Sequence, residues 1–443
     1  MSTIATGAGK APARPGATAT ARMAAGSAPH EMVGAVLAAT VAPLRLVAAR
    51  PDLLPDDDGS QQIIHPLDKI AAETVLLLYV VDRYMPQLAK GAAFADLVAE
   101  AAKIVRSERH LFMLRANPRL CTSFGIGHVL LTRMGHLDTR FDAVFALSVS
   151  DPSFVPANKL PFRLMDDHWL IALHHRARPA KTPMKTCLAA GLATSAISPL
   201  YMNVADRYAF THEIMYATDF GAQALAGEIC RDRLLERIEI ALYDCLWEFD
   251  LDLMAEFVAC AAMITDTPGN TVRFCRHLLV EVFGRTGFLP SRSYDVERLS
   301  NLLDSDRRAA EHFFHSYHTT HVYAMMLCLT RHWRTAADSA EPAPGVVDAA
   351  FFDLSPGDQP AQWIGFLDDF ACPNADKLRI ANGVQLSRLA RGRRFERLFA
   401  EIGRIVGEGA PVSTMLVDEC AQAIGRIAEG DRVLERSGAA TAC

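Results

Sequence analysis

Three stretches of this chain carry ionisable residues where the surrounding pattern is apolar. They are Thr211-His212-Glu213-Ile214-Met215-Tyr216-Ala217-Thr218-Asp219-Phe220-Gly221, the single Asp250, and Tyr317-His318-Thr319-Thr320-His321. A charge or an imidazole on an oily face costs free energy unless it is paired, hydrogen-bonded or bound to a metal. Such residues mark either a buried polar network or a reaction centre. Mixed imidazole and carboxylate ligands suit Fe, Mn or Zn and disfavour Cu(I).

Successive helical residues point about 100° apart, so each group can be assigned to a face. With residues 239–258 read as one helix, Asp250 falls among Leu246, Trp247, Leu253, Met254 and Phe257. Asp244, Glu248, Asp252 and Glu256 fall on another side, as an acidic ladder expected to face solvent. Within 308–333, His318 and His321 lie in the apolar sector with Val322, Met325, Cys328 and Leu329, whereas His315 sits at its edge and His312 points away. Two histidines three apart can chelate a metal, and each can equally be a satisfied core group. Tyr317 and Thr319 or Thr320 are placed to orient an imidazole. His212 and Asp219 share a stripe with Tyr208, Met215 and Tyr216, while Glu213 points away from it.

The expected metal ligands are therefore His212, Asp219, Asp250 and His318, with His321, Asp250 and Tyr317 as catalytic groups. A divalent Fe, Mn or Zn held there acts as a Lewis acid or activates water or oxygen. The corresponding function is a metal-dependent enzyme modifying a small molecule or short peptide, as an oxidoreductase or a metal-assisted hydrolase or cyclase. Two readings compete with it. One is a metal-free acid–base lyase or cyclase, with Asp250 as acid and a histidine as base. The other is a non-enzymatic helical scaffold whose internal polar groups fix its packing, Asp250 pairing with an arginine such as Arg163.

Familiar signatures are missing. His212-Glu213-Ile214-Met215 is followed by Tyr216, so the HExxH zinc motif fails. Gly125-Ile126-Gly127 lacks the rest of a dinucleotide fingerprint, and no phosphate-binding loop or GxSxG elbow occurs. Asp166-Asp167-His168-Trp169-Leu170 departs from DDxxD, and acids in a first helical turn are ordinary helix stabilisers. His174 and His175 do not share a face. None of the ten cysteines forms a CxxC pair, which argues against a thiolate zinc site and for reduced thiols.

The elements that must position these groups read as helices over 29–49, 66–88, 93–116, 139–149, 161–176, 183–194, 202–217, 222–262, 271–283, 295–304, 308–333, 360–369, 383–407 and 412–433. Only 147–155 and 346–354 suggest short extended pieces. The expected fold is all-α, a multi-helix body with a toroid-like arrangement of antiparallel helical pairs around a central cavity. Residues 1–27 read as a disordered tail, 28–334 as the main helical domain, and 335–348 as a linker or surface loop. Residues 349–435 read as a C-terminal helical portion, separate or packed into the same domain.

With 443 residues, 50% hydrophobic, the chain can bury a large core. A net charge of -6 argues against nucleic acid. The basic run Arg388 to Arg397 is expected to be a solvated helix face. The start lacks a signal-peptide pattern, and no run of apolar residues reaches membrane-spanning length, so a cytoplasmic location without membrane contact is expected. The expected partner is a small-molecule or peptide substrate, and a homodimer is compatible with the sequence.

The phrases PFRLMDDHW, THEIMYATDFG, DLDLMAE and SYHTTHVYAM resemble those of an uncharacterised bacterial family of helical proteins often associated with natural-product gene clusters. Its recognisable anchors, a THxxxYxTDFG-like and a YHxT-like phrase, correspond to Thr211 through Gly221 and Tyr317 through Thr320. The resemblance covers about residues 130–330 and implies that these segments belong to one site, without supplying a reaction.

Overall fold

The structure, a computed structural model, describes residues 28–55, 64–151, 154, 159–174, 184–225, 229–333 and 363–440. The expected tail 1–27, the linker 335–348 and the extended piece 346–354 lie outside these residues. The described residues form an all-α, multi-helix fold with extensive helix–helix packing. In chain order the helices are α1 Pro29–Ala49, α2 Pro66–Tyr84, α3 Ala92–Val105, α4 Glu108–Ala116, α5 Cys121–Arg133, α6 Thr139–Ser150 and α7 Pro161–His174. There follow α8 Met184–Ala189, α9 Val204–Ala217, α10 Arg231–Glu248, α11 Leu251–Ile264, α12 Asn270–Thr286 and α13 Val296–Ser300. The last are α14 Ser305–Phe314, α15 Tyr317–Leu329, α16 Ile364–Asp369, α17 Asn374–Arg391, α18 Phe395–Glu408 and α19 Thr414–Ala440. Residues 147–150 end α6 and are not extended.

Two helices at the centre organise the rest. α11 packs on α15 on one side and on α9, α10 and α12 on others, and every α11 residue except Ala262 is buried. α15 in turn packs against α1 and α2. By length and composition alone α1 could cross a membrane, but here Met32, Val33, Val36, Leu37, Leu44 and Val47 are buried, and the helix packs against α3 and α15. Proline at the first helical position starts α2, α7 and α1, where its missing N–H has no partner to lose.

The expected helix 222–262 is two helices. Phe249 takes a left-handed conformation with φ 50°, and the Asp250 backbone N–H donates back to the Cys245 carbonyl at 2.9 Å. The chain then restarts, with the Asp250 carboxylate accepting from the Leu253 N–H at 3.2 Å as the α11 N-cap. Asp244, Asp252 and Glu256, expected in solvent, are all buried. Asp244 faces Arg207 and Arg391, each at 3.2 Å, and accepts from Ser387. The 388–397 run is a solvated face only in part: Arg393 and Arg397 are exposed, but Arg388 is buried with its guanidinium 5.1 Å from the Trp247 ring, and Arg391 is a partner of Asp244. The expected helix 308–333 also divides, at His315 and Ser316.

α5 packs against α2 and α7, two of the helices around the candidate site, and its His128 is fully enclosed. The imidazole stacks on Phe141 at 4.5 Å, and Nδ1 accepts from Arg106 Nε at 3.2 Å. Burial, with the Arg106 charge, holds His128 down at about 4. An unfolded histidine protonates near 6.5, so the native state resists a proton that the unfolded chain accepts. Stability is then full above about pH 6.5 and declines as pH falls toward 4, by on the order of 3 kcal/mol for this group. Urea unfolding at pH 7 and pH 5 should show that decline, and His128→Leu should remove part of it. An unchanged pH slope in the variant would contradict the assignment.

Candidate metal centre

Four helices, α11 with α2, α9 and α15, bring ionisable side chains together. Asp252 and Glu256 stand four residues apart on α11 and so share a face. α15 supplies His318, α2 supplies Glu73, and α9 supplies Tyr208, Thr211 and His212. Asp252, Glu256 and His318 each place one ligand-capable atom within 4.8 Å of the others. His212 Nε2 lies 3.8 Å from Glu256 Oε1. Both carboxylates are nearly enclosed, whereas the His212 and His318 side chains are each 30% exposed.

Three of the four ligand-type groups, His318, Asp252 and Glu256, have an outer partner. His318 Nδ1 lies 2.8 Å from Glu73 Oε2, and its Nε2 is 3.3 Å from Asp252 Oδ2. Tyr208 donates to Asp252 Oδ2 at 2.5 Å, and Thr211 donates to Glu256 Oε2. Asp252 Oδ1 and His212 Nδ1 are buried without a hydrogen-bond partner among the described residues. Tyr208, Phe162 and Tyr216 rings surround the His212 imidazole at 6.2, 6.1 and 5.8 Å.

The charges follow from this packing. Burial alone would strip His318 of its proton, but Asp252 and Glu73 on its two sides hold it well above the usual histidine range. Burial works against the Glu73 charge as well, and His318 overcomes it, holding the carboxyl at about 2. Asp252 is likewise lowered, with burial outweighed by His318. Burial and the Asp252 charge push the Tyr208 phenol up, so it stays a donor. Asp166 on α7 is 3.7 Å from Arg163 and has a buried Oδ1 without a partner among the described residues. Burial raises its carboxyl to about 6.

Of the residues expected from sequence, His212 and His318 meet in this centre, and Tyr317 lies against Glu73 and supports its charge. Three others have different partners. Asp250 caps α11 and is held by Arg292 at 3.3 Å, not by Arg163. His321 lies in the core, with Nε2 3.3 Å from Thr40 Oγ1. The Thr40 hydroxyl already donates to the Val36 carbonyl, so Nε2 carries the imidazole proton and Nδ1 is an acceptor without a partner among the described residues. Burial lowers His321 to about 4, keeping it neutral.

Asp219 leaves the His212 stripe because the helix ends before it. Asp219, Phe220 and Gly221 have φ of 46°, 51° and 81°, a left-handed turn that costs on the order of 1–3 kcal/mol per non-glycine residue. The positive φ favours glycine at 221, where a Cβ would also sit a tight 3.1 Å from the Tyr84 hydroxyl. The Asp219 carboxylate offsets the strain by accepting from Trp169 Nε1 at 2.8 Å, Tyr79 at 3.1 Å and Arg83 at 2.9 Å. Glu213, off the stripe as expected, accepts from the Leu192 and Ala193 backbone N–H groups at 2.9 and 2.8 Å.

Sequence reasoning passed over Asp252, Glu256, Glu73 and Tyr208. The first two carried a visible signal in their four-residue spacing, and Glu73 in its position between Ile70-Ala71-Ala72 and Val75-Leu76-Leu77-Leu78.

Asp219→Ala should strand the Arg83 guanidinium and the Trp169 N–H, at a cost of about 3–5 kcal/mol. Denaturant unfolding followed by tryptophan fluorescence reads this directly. A loss under about 1 kcal/mol would show that the turn is held by something else.

No curated protein and no solved structure matches this chain. The family described as a domain of unknown function, DUF6895, matches residues 42–328, a span that includes every group of the centre, and the chain belongs to that family.

Proposed function

We propose that this protein is a divalent-metal-dependent enzyme that modifies a small molecule or short peptide in a cytoplasmic biosynthetic pathway. The observation that carries the reading is the convergence of Asp252, Glu256 and His318, each with one ligand atom within 4.8 Å of the others. His212 is the fourth donor, beside Glu256. Two imidazoles and two carboxylates suit Fe, Mn or Zn. Bound there, such a metal supplies Lewis acidity or an activated water or oxygen.

The chain's own contribution is orientation. Glu73 fixes His318 through Nδ1, so that Nε2 faces the carboxylates, as a metal-ligating histidine requires. Tyr208 and Thr211 fix one oxygen each of Asp252 and Glu256 and leave the others free to ligate. The half-open His212 and His318 face gives substrate an approach, lined by the Phe162 and Tyr216 rings.

A second reading rests on Asp166. Its carboxyl at about 6 and its unpartnered Oδ1 suit a metal-free general acid, with His212 as the neighbouring base.

Elemental analysis of protein purified without a histidine tag separates the two. Near-stoichiometric Fe, Mn or Zn is expected, reduced at least about tenfold in Asp252→Asn, Glu256→Gln and His318→Gln. Asp250→Asn and Asp219→Asn should retain it. Absence of metal after reconstitution, with melting unchanged by chelator, would sink the metal reading and leave Asp166→Asn to test the other.

A further inference from the structure

Residues 196–201, α10, α18 and α19 enclose an open cleft of about 800 Å³, and no residue of the metal centre lines it. Its cationic side is formed by Arg233 and Arg237 of α10 and Arg426 of α19. Arg237 is only 3% exposed, and its guanidinium stacks 5.6 Å from the Phe210 ring. It donates from Nη2 to the Leu192 carbonyl at 3.0 Å, but its Nε is buried with no partner among the described residues. A buried guanidinium with an idle donor is costly unless an acceptor reaches it.

The acidic residues of the cleft do not meet that need. Glu419 lies where the charges of Arg237, Arg233 and Arg426 all act on it, yet it accepts its hydrogen bond from Ser198 at 2.5 Å. Glu236 and Asp418 also line the cleft, and among the described residues none of the three acids pairs with any of the three arginines. Arg426 makes one long contact, 3.4 Å to the Tyr201 hydroxyl. The guanidiniums thus frame a space beside Glu419 instead of closing on it. Ile197, Met415 and Phe395 give the remainder of the wall an apolar character.

We propose that this cleft binds a small organic anion, a carboxylate or phosphate monoester on an apolar body, with its charged group among Arg233, Arg237 and Arg426. Guanidiniums match both oxyanions through paired N–H donors, and the apolar wall takes the rest of the molecule. Binding here is independent of metal at the other centre.

Calorimetric titration of the full chain in chelator, with octanoate, octyl phosphate and octan-1-ol, tests this. At least one anion should bind, one per chain, and about tenfold or more tighter than the alcohol. The relative affinity of the two anions tells which head group the cleft favours. Arg233 and Arg426 are exposed, so the double variant Arg233→Glu/Arg426→Glu should fold and lose about tenfold in affinity. Glu419→Gln keeps an acceptor for Ser198 and removes a competing charge, so it should bind more tightly. Equal affinity for octan-1-ol, no binding of either anion, an unchanged double variant, or weaker binding by Glu419→Gln would each overturn the proposal. Loss of metal binding at Asp252 and His318 leaves these outcomes unaffected, so the two readings fail separately.

Discussion

Everything around the centre depends on the burial of Asp252 and Glu256 in a helix that has almost no exposed side. α11 packs against α9, α10, α12 and α15, so its two carboxylates are nearly enclosed. Removing a carboxylate from water costs several kcal/mol even after the protein relaxes, more than one neutral hydrogen bond returns. The surrounding helices supply what is needed. α15 brings the His318 cation to Asp252, α9 brings the Tyr208 and Thr211 hydroxyls, and α2 brings Glu73 to the other side of the same imidazole. The packing of α2, α9 and α15 about α11 is therefore specified by charge as well as by apolar fit. A register slip in any of them would leave a carboxylate or an imidazole uncompensated.

That dependence explains why α9 is fastened at so many points. Its first turn is closed by a reciprocal Asn203 and Asp206 capping box. Midway, Glu213 ties it to the turn at residues 191–193. At its end the Thr218 hydroxyl bridges the Ile214 carbonyl and the Gly221 N–H, while Asp219 joins α2 and α7 through Arg83, Tyr79 and Trp169. The phrase from Thr211 to Gly221 thus divides its labour. Thr211 and His212 face the centre, and Thr218 to Gly221 fix the helix that carries them. Sites held to productive geometry need such supporting contacts, because a small shift in a ligand weakens every bond it makes.

The helical class was legible in the sequence, because it depends on periodicity within single helices; His212 and His318 were picked out in the same way, and the structure places them beside Glu256 and Asp252. What was not legible was anything that depended on a helix end. Reading α10 and α11 as one rod put Asp250 on the apolar face and the Asp252 and Glu256 pair in solvent. The chain breaks at the left-handed Phe249, so Asp250 is a buried N-cap and the Asp252 and Glu256 pair is buried, and nothing in Glu248-Phe249-Asp250 announces the break in the way glycine announces the ends of α12 and α18. A left-handed phenylalanine is affordable only where tertiary packing overrides local preference. Asp219 failed for the same reason: seven residues from His212 is two helical turns only if the helix continues. Glu73 belongs to a different class, since its partner is 245 residues away and no local pattern can name it.

His318 and His321 show how far environment outweighs residue type. They lie three apart on one helix, both largely removed from water, and both would lose their protons if burial alone decided. His321 meets a threonine hydroxyl and an aromatic edge, so burial wins and the ring is neutral. His318 meets a carboxylate at each nitrogen, and the two attractions reverse the outcome. A proton on Nε2 and a divalent cation compete for the same lone pair, and both neutralise the same cluster of carboxylates. On the metal reading proposed above, that proton would be the one exchanged for a cation: Glu73 would keep Nδ1 protonated, and only the Nε2 side, facing Asp252, would change.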